Sequence, residues 1–206
     1  MDLIGDFKAG INAAMHPSSN TQNMNLGQAI GFYYKASILP GIIALIIDGI
    51  IGFLVSPLQG AIALASIVGM LWIGLPIGII INAAIYQFFD KILFKIFTGD
   101  ISKTATAVMF GEMPILVLAF LYFLPATGAL IYIRYVFDLI IAIWTIIVLT
   151  LSFREQQNIS TGKAVLAWLL PGIILGIIAA IIIIGIFAVA LTAYGVPSSS
   201  FFPTTP

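Results

Sequence analysis

Five long apolar runs constrain this chain more than anything else in it. They lie near Ala36–Val55, Gly60–Phe89, Ala107–Leu124, Leu130–Phe153 and Val165–Leu191. A hydrocarbon core about 30 Å thick is crossed by roughly 17–25 helical residues, and each run reaches that length. Barrel strands are excluded, because they alternate in polarity over about ten residues whereas these runs are apolar on every side. The reading is an all-α fold, a polytopic transmembrane helical bundle with five spans. The second and fifth runs exceed the minimum, so they should tilt, kink or project beyond the bilayer. Pro76 and Pro171 lie inside them and each removes a backbone donor, which predicts kinks there.

The charge content agrees. Charged residues make up 8% of the 206 residues and hydrophobic ones 61%, against about 25% charged in a soluble domain. Most of the surface must therefore face lipid, and the bilayer is the first partner. The formal net charge is zero with no basic cluster, which argues against nucleic acid. Cys is absent, excluding disulfides and thiolate metal ligands. Met1–Met15 lacks the charged-then-apolar order of a signal peptide and is expected to be retained.

The connections give the topology. Ser56-Pro57-Leu58-Gln59 and Pro125-Ala126-Thr127-Gly128 read as tight turns between antiparallel helices. The longer polar connections are Asp90–Thr106 and Arg154–Lys163, with Ser102 and Ser160 as expected N-caps of the helices that follow. Lys8 and Lys35 precede the first span; Lys91, Lys95 and Lys103 lie between the second and third; Arg154 and Lys163 lie between the fourth and fifth. Every loop cation falls on one side, which the positive-inside rule makes cytoplasmic. The N-terminus is then cytoplasmic and the C-terminus external, as an odd number of spans requires.

Residues 1–35 are expected as a cytosolic or interfacial segment, 36–191 as the five-helix membrane domain, and 192–206 as a disordered external tail. Two short amphipathic helices should precede the first span. In Asp2–Met15, Leu3, Phe7, Ile11 and Ala14 recur at helical spacing. Asn25, followed by Gln28, resembles a capping box opening a helix through Leu26, Ile30, Tyr33 and Tyr34. Both suit a cytoplasmic interface.

From about Asn82 onwards the chain resembles the Yip1 domain family of small five-span membrane proteins. The likeness rests on Ile143-Trp144, on Gln157-Asn158-Ile159-Ser160-Thr161-Gly162-Lys163-Ala164, and on Leu169-Leu170-Pro171 in the helix that follows. Gly99-Asp100, Met113-Pro114 and Pro125-Ala126-Thr127-Gly128 match the family's layout upstream. The resemblance implies five spans and a cytosolic N-terminus. In eukaryotic members it also implies vesicle trafficking alongside Rab GTPases. This chain lacks their long N-terminal region and their Asp-Leu-Tyr-Gly-Pro signature. Its short layout resembles prokaryotic members, which implies the prokaryotic plasma membrane.

Four ionisable residues, Asp48, Glu112, Arg134 and Asp138, lie inside expected spans. Each costs at least about 2.5–3.5 kcal/mol at the bilayer centre, so each needs a partner, a cavity or neutralisation. Arg134 and Asp138 are one helical turn apart, and counting about 1.5 Å per residue puts Asp48 at an overlapping depth. These three are expected to form one polar cluster. It would act either as glue between spans one and four or as a proton or ion relay, and two acids around one Arg favour protonation of one carboxyl. Glu112 is expected to form a second polar site near the cytoplasmic end, paired with Lys103 or Lys163. His16 has no second ligand nearby, so no metal site is expected. No phosphate-cradling loop and no nucleophile–base–orienter set is legible, so neither enzyme activity nor a cofactor is expected. The reading is a membrane-organising or trafficking-related adaptor working through its cytosolic loops, with protein partners or as a homo-oligomer. The alternative is a small transporter or channel built on the Asp48/Arg134/Asp138 cluster.

Overall fold

The computed structural model describes residues 2–17, 24–124 and 128–193, and every regular element among them is a helix. The chain divides into two compact units, Met1–Ala167 and Trp168–Pro206. Within the expected Pro125–Gly128 turn, only Gly128 lies among the described residues; most of the expected external tail lies outside them.

Helix α1, Leu3–Met15, is capped by Asp2, whose carboxylate accepts from the Gly5 amide at 2.9 Å. Its buried residues are small (Gly10, Ala13 and Ala14). They let it lie along α2, Leu26–Val55. The capping box at the start of α2 is reciprocal: Gln28 N–H donates to Asn25 Oδ1 at 2.9 Å and Asn25 N–H to Gln28 Oε1 at 3.0 Å. The second pre-membrane helix and the first span are one helix, with Lys35 in its interior. The reason is phase. The buried stripe Ala29, Tyr33, Ala36, Ser37, Pro40, Gly41, Ala44, Asp48, Gly49 and Gly52 crosses the junction at unbroken helical spacing. A stripe of mostly small residues lets membrane helices approach closely.

Ser56 caps α3, accepting from the Gln59 amide at 3.1 Å, and Pro57 takes the first helical position. α3 runs over Pro57–Leu93. It is widened at Met70–Gly74, where Leu75 N–H reaches back to the Met70 carbonyl, and again at Gln87–Leu93. The first widening adjoins Pro76, the position where the sequence predicts a kink. With no N–H on Pro76 the carbonyls one turn back lose their partner, and two tyrosines of α2 replace it. Tyr33 Oη donates to the Leu71 carbonyl at 2.8 Å and Tyr34 Oη to the Trp72 carbonyl at 3.0 Å.

The third apolar run is not one helix. It comprises α4 (Ile101–Gly111), α5 (Met113–Val117) and α6 (Ala119–Tyr122), broken at Glu112 and Leu118. Pro114 cannot donate to the Phe110 carbonyl, so the ladder fails there. Every residue from Thr104 to Gly111 is buried. This segment is the core of the first unit, in contact with α1, α2, α3 and α7, which spans Leu130–Gln157. Its N-cap is Asp100, which accepts from the Lys103 amide at 3.0 Å, rather than Ser102. Ser102 instead accepts from the Leu26 amide at 2.9 Å, satisfying an orphan donor at the start of α2. Ser160 does lie at the start of α8, Thr161–Ala193, accepting from the Lys163 amide at 3.4 Å.

The second unit continues α8 from Trp168. It is apolar all round, with Ile177, Ile181, Ile184 and Phe187 each more than half exposed.

Candidate functional site

Arg134 and Asp138 sit one turn apart near the start of α7. Nε of Arg134 meets Asp138 Oδ2 at 3.4 Å, and each side chain is about a third exposed. Arg134 Nη1 donates to the Leu124 carbonyl at 3.0 Å, tying α7 to the end of the broken helix. Arg134 also lines a cavity of about 600 Å³, whose walls include Gln59, Ile62, Ser66, Gly69 and Tyr122.

Asp48 does not join this pair. Its side chain is fully buried, and neither carboxylate oxygen has a hydrogen-bond partner among the described residues. It lies within electrostatic range of Arg134 without a hydrogen bond to it, and α5 and α6 each pack against both α2 and α7. Of the three expected cluster residues, only Arg134 and Asp138 make a direct polar contact among the described residues. Glu112 likewise makes no ion pair with Lys103 or Lys163 among the described residues. It ends α4 at the break, within electrostatic range of Tyr33, Tyr86 and Tyr122. Lys103 is about 13 Å further down the helix at 1.5 Å per residue. Lys103 and Lys163 are exposed.

The lysine-bearing end carries a second polar constellation, which is closed. Gly99 N–H donates to Gln157 Oε1 at 2.7 Å, and Gln157 Nε2 to Thr104 Oγ1 at 2.9 Å. Thr104 Oγ1 donates to Gln87 Oε1 at 2.6 Å, and Gln87 Nε2 returns to the Gly99 carbonyl at 3.2 Å. Lys91 Nζ also donates to that carbonyl, at 2.9 Å, and Thr98 Oγ1 to the Gln157 carbonyl at 2.8 Å. Gln157 is 1% exposed and Thr104 fully buried, where satisfied polar groups fix a single arrangement. A Cβ on Gly99 would fall 2.6 Å from Gln157 Oε1, so glycine is the residue that fits. The ring fastens the loop before α4 to the ends of α3 and α7. α7 closes there on Asn158 at φ 51°, a left-handed position that Asn tolerates.

Sequence reasoning does not find this ring. Gly99 and Gln157 lie in or next to two separate polar connections, so no local pattern signals their pairing. Asp90 is missed altogether: read as the start of a loop, it lies in the widened turn of α3, fully buried, with both carboxylate oxygens unpartnered among the described residues.

Four helices, Leu26–Val55, Pro57–Leu93, Leu130–Gln157 and Thr161–Phe187, are long and apolar enough to cross a membrane. Together with a buried broken helix they define an all-helical membrane protein. No family model, curated protein or solved structure matches the chain.

Proposed function

We propose that this chain is a five-span integral membrane protein of the Yip1-like type, with its N-terminus in the cytoplasm and its C-terminus outside. It acts without catalytic chemistry as a membrane-organising or trafficking-related adaptor in a prokaryotic plasma membrane. The buried hydrogen-bond ring through Gly99, Gln87, Thr104 and Gln157 carries this reading. It turns two separate loops into one fixed surface that presents Lys95, Lys103, Asn158 and Lys163, all exposed. A preformed polar surface on a membrane anchor suits a protein partner, because little ordering remains to be done on binding. The transport alternative needs a water path through Asp48. Asp48 is fully buried and does not line the cavity that reaches Arg134, which favours the adaptor.

Photo-crosslinking residues placed at Lys95, Lys103 and Asn158 in native membranes should trap one reproducible protein adduct, and Gln157→Ala should diminish it. No adduct from these positions, together with solute or proton flux through the purified protein in liposomes, would reverse the assignment.

A further inference from the structure

The groove at Arg134 has an unusual composition for a membrane-facing surface. One wall is the outward stripe of α3, with Ile62, Ser66 and Met70 exposed; the other is Tyr122, Phe123 and Arg134 at the α6–α7 corner. Its volume, about 600 Å³, lies within the roughly 300–1,000 Å³ typical of ligand sites. Arg134 is the one charged residue among those lining it. Guanidinium offers five donors. Nε is directed at Asp138 and Nη1 at the Leu124 carbonyl, while Nη2 makes no hydrogen bond among the described residues. Asp138 meets this guanidinium on its Nε edge only, and the remaining edge of a third-exposed cation on a membrane helix is costly unless an anion or water meets it. Arg134 lies about one turn inside α7, roughly 6 Å from its start at 1.5 Å per residue, near enough to the helix end for its long side chain to extend toward the headgroups.

We propose that this groove binds an anionic phospholipid from the leaflet at the lysine-poor end. Arg134 holds the phosphate, Gln59, Ser66 and Tyr122 supply further polar contacts, and Ile62 and Phe123 cover an acyl chain. Charge selects the ligand. The acids near Arg134 do not line the groove, so an incoming head meets a cation and neutral donors. Arg binds phosphate through charge-assisted hydrogen bonds, and basic pockets between membrane helices bind anionic headgroups. The site goes beyond the adaptor reading and does not rest on it.

Gly69 gives a test that spares both the fold and the charge, since a Cβ there meets nothing within 4 Å and the residue lines the groove. The full chain in mild detergent would be exchanged against phosphatidylglycerol, phosphatidylcholine, oleate or excess inorganic phosphate, and bound lipid counted by native mass spectrometry. Phosphatidylglycerol should be retained about tenfold over phosphatidylcholine, a gap of about 1.4 kcal/mol. Gly69→Leu and Arg134→Gln should each abolish that preference, Gly69→Leu without lowering Tm. Neither oleate nor phosphate should displace the lipid. Equal retention of the two lipids, or unchanged selectivity in Gly69→Leu, would overturn the site. Displacement by phosphate or oleate would overturn the phospholipid as its occupant.

Discussion

The Gly99 amide donates to Gln157 Oε1 at 2.7 Å across 58 residues of sequence, at a separation that a side chain on residue 99 would close. Gln157 answers with its own Nε2 to Thr104 Oγ1, so one buried amide joins a loop, a core helix and the end of α7. Gln157→Ala leaves the Gly99 donor unpaired, where each unsatisfied buried group costs about 1–3 kcal/mol. Thermal unfolding in detergent should show a loss of that size, with faster trypsin cleavage after Lys95 or Lys103. An unchanged Tm and cleavage rate would mean that the ring does not fix the loops.

Tyr33 and Pro76 are coupled through the carbonyl that proline leaves without a donor. Tyr33→Phe should cost about 0.6 kcal/mol and at most about 1.7, the mean and maximum for polar contacts between membrane helices. In a Pro76→Ala background the backbone donor is restored, so the same change should cost markedly less. A double-mutant cycle on thermal stability reads this directly. Additive losses would show that the tyrosine does not serve the broken ladder.

Gly52 and Gly69 make a matched pair. A Cβ on Gly52 would fall 2.9 Å from Gly60 Cα and 3.0 Å from the Gln59 carbonyl oxygen, both backbone atoms of α3, whereas one on Gly69 meets nothing. Gly52→Ala should therefore force the α2–α3 hairpin apart and cost about 1–3 kcal/mol. Gly69→Ala should be neutral or stabilising by up to about 1 kcal/mol. Equal Tm values for the two variants would contradict the close approach.

Element type was largely legible in the sequence, because apolar length and helical phase are local properties. The Asn25/Gln28 capping box was readable for the same reason. The third run reads as a span like the others, because composition alone does not say which helix occupies the core. Depth counted along straight helices places Asp48 level with Arg134 but does not say whether the two side chains hydrogen-bond, and they do not. The ring at Gly99 is a long-range pairing across 58 residues, which no local pattern reveals. Asp90 was hidden by a loop assignment made from its charge.

Breaking the Arg134–Asp138 pair should cost little. At 3.4 Å and one-third exposure its coupling should be about 0.2–1 kcal/mol. Asp48→Asn should change stability independently, because no hydrogen bond joins Asp48 to Arg134 among the described residues. Unfolding of Arg134→Leu, Asp48→Asn and the double variant would read this. A coupling above about 2 kcal/mol between Asp48 and Arg134 would mean that they meet in the membrane.

Topology tests the central claim most directly, and the Cys-free chain suits it. Single cysteines would replace Lys95 and Asn158 at the lysine-bearing end, Leu58 at the α2–α3 corner, and Ser199 in the tail. Intact cells would then be treated with a membrane-impermeant thiol reagent. The five-span, N-in and C-out arrangement predicts labelling of Leu58→Cys and Ser199→Cys, with Lys95→Cys and Asn158→Cys reacting only after the membrane is opened. Labelling of Lys95→Cys or Asn158→Cys in sealed cells, with Ser199→Cys protected, would contradict both the orientation and the cytoplasmic adaptor surface built on it.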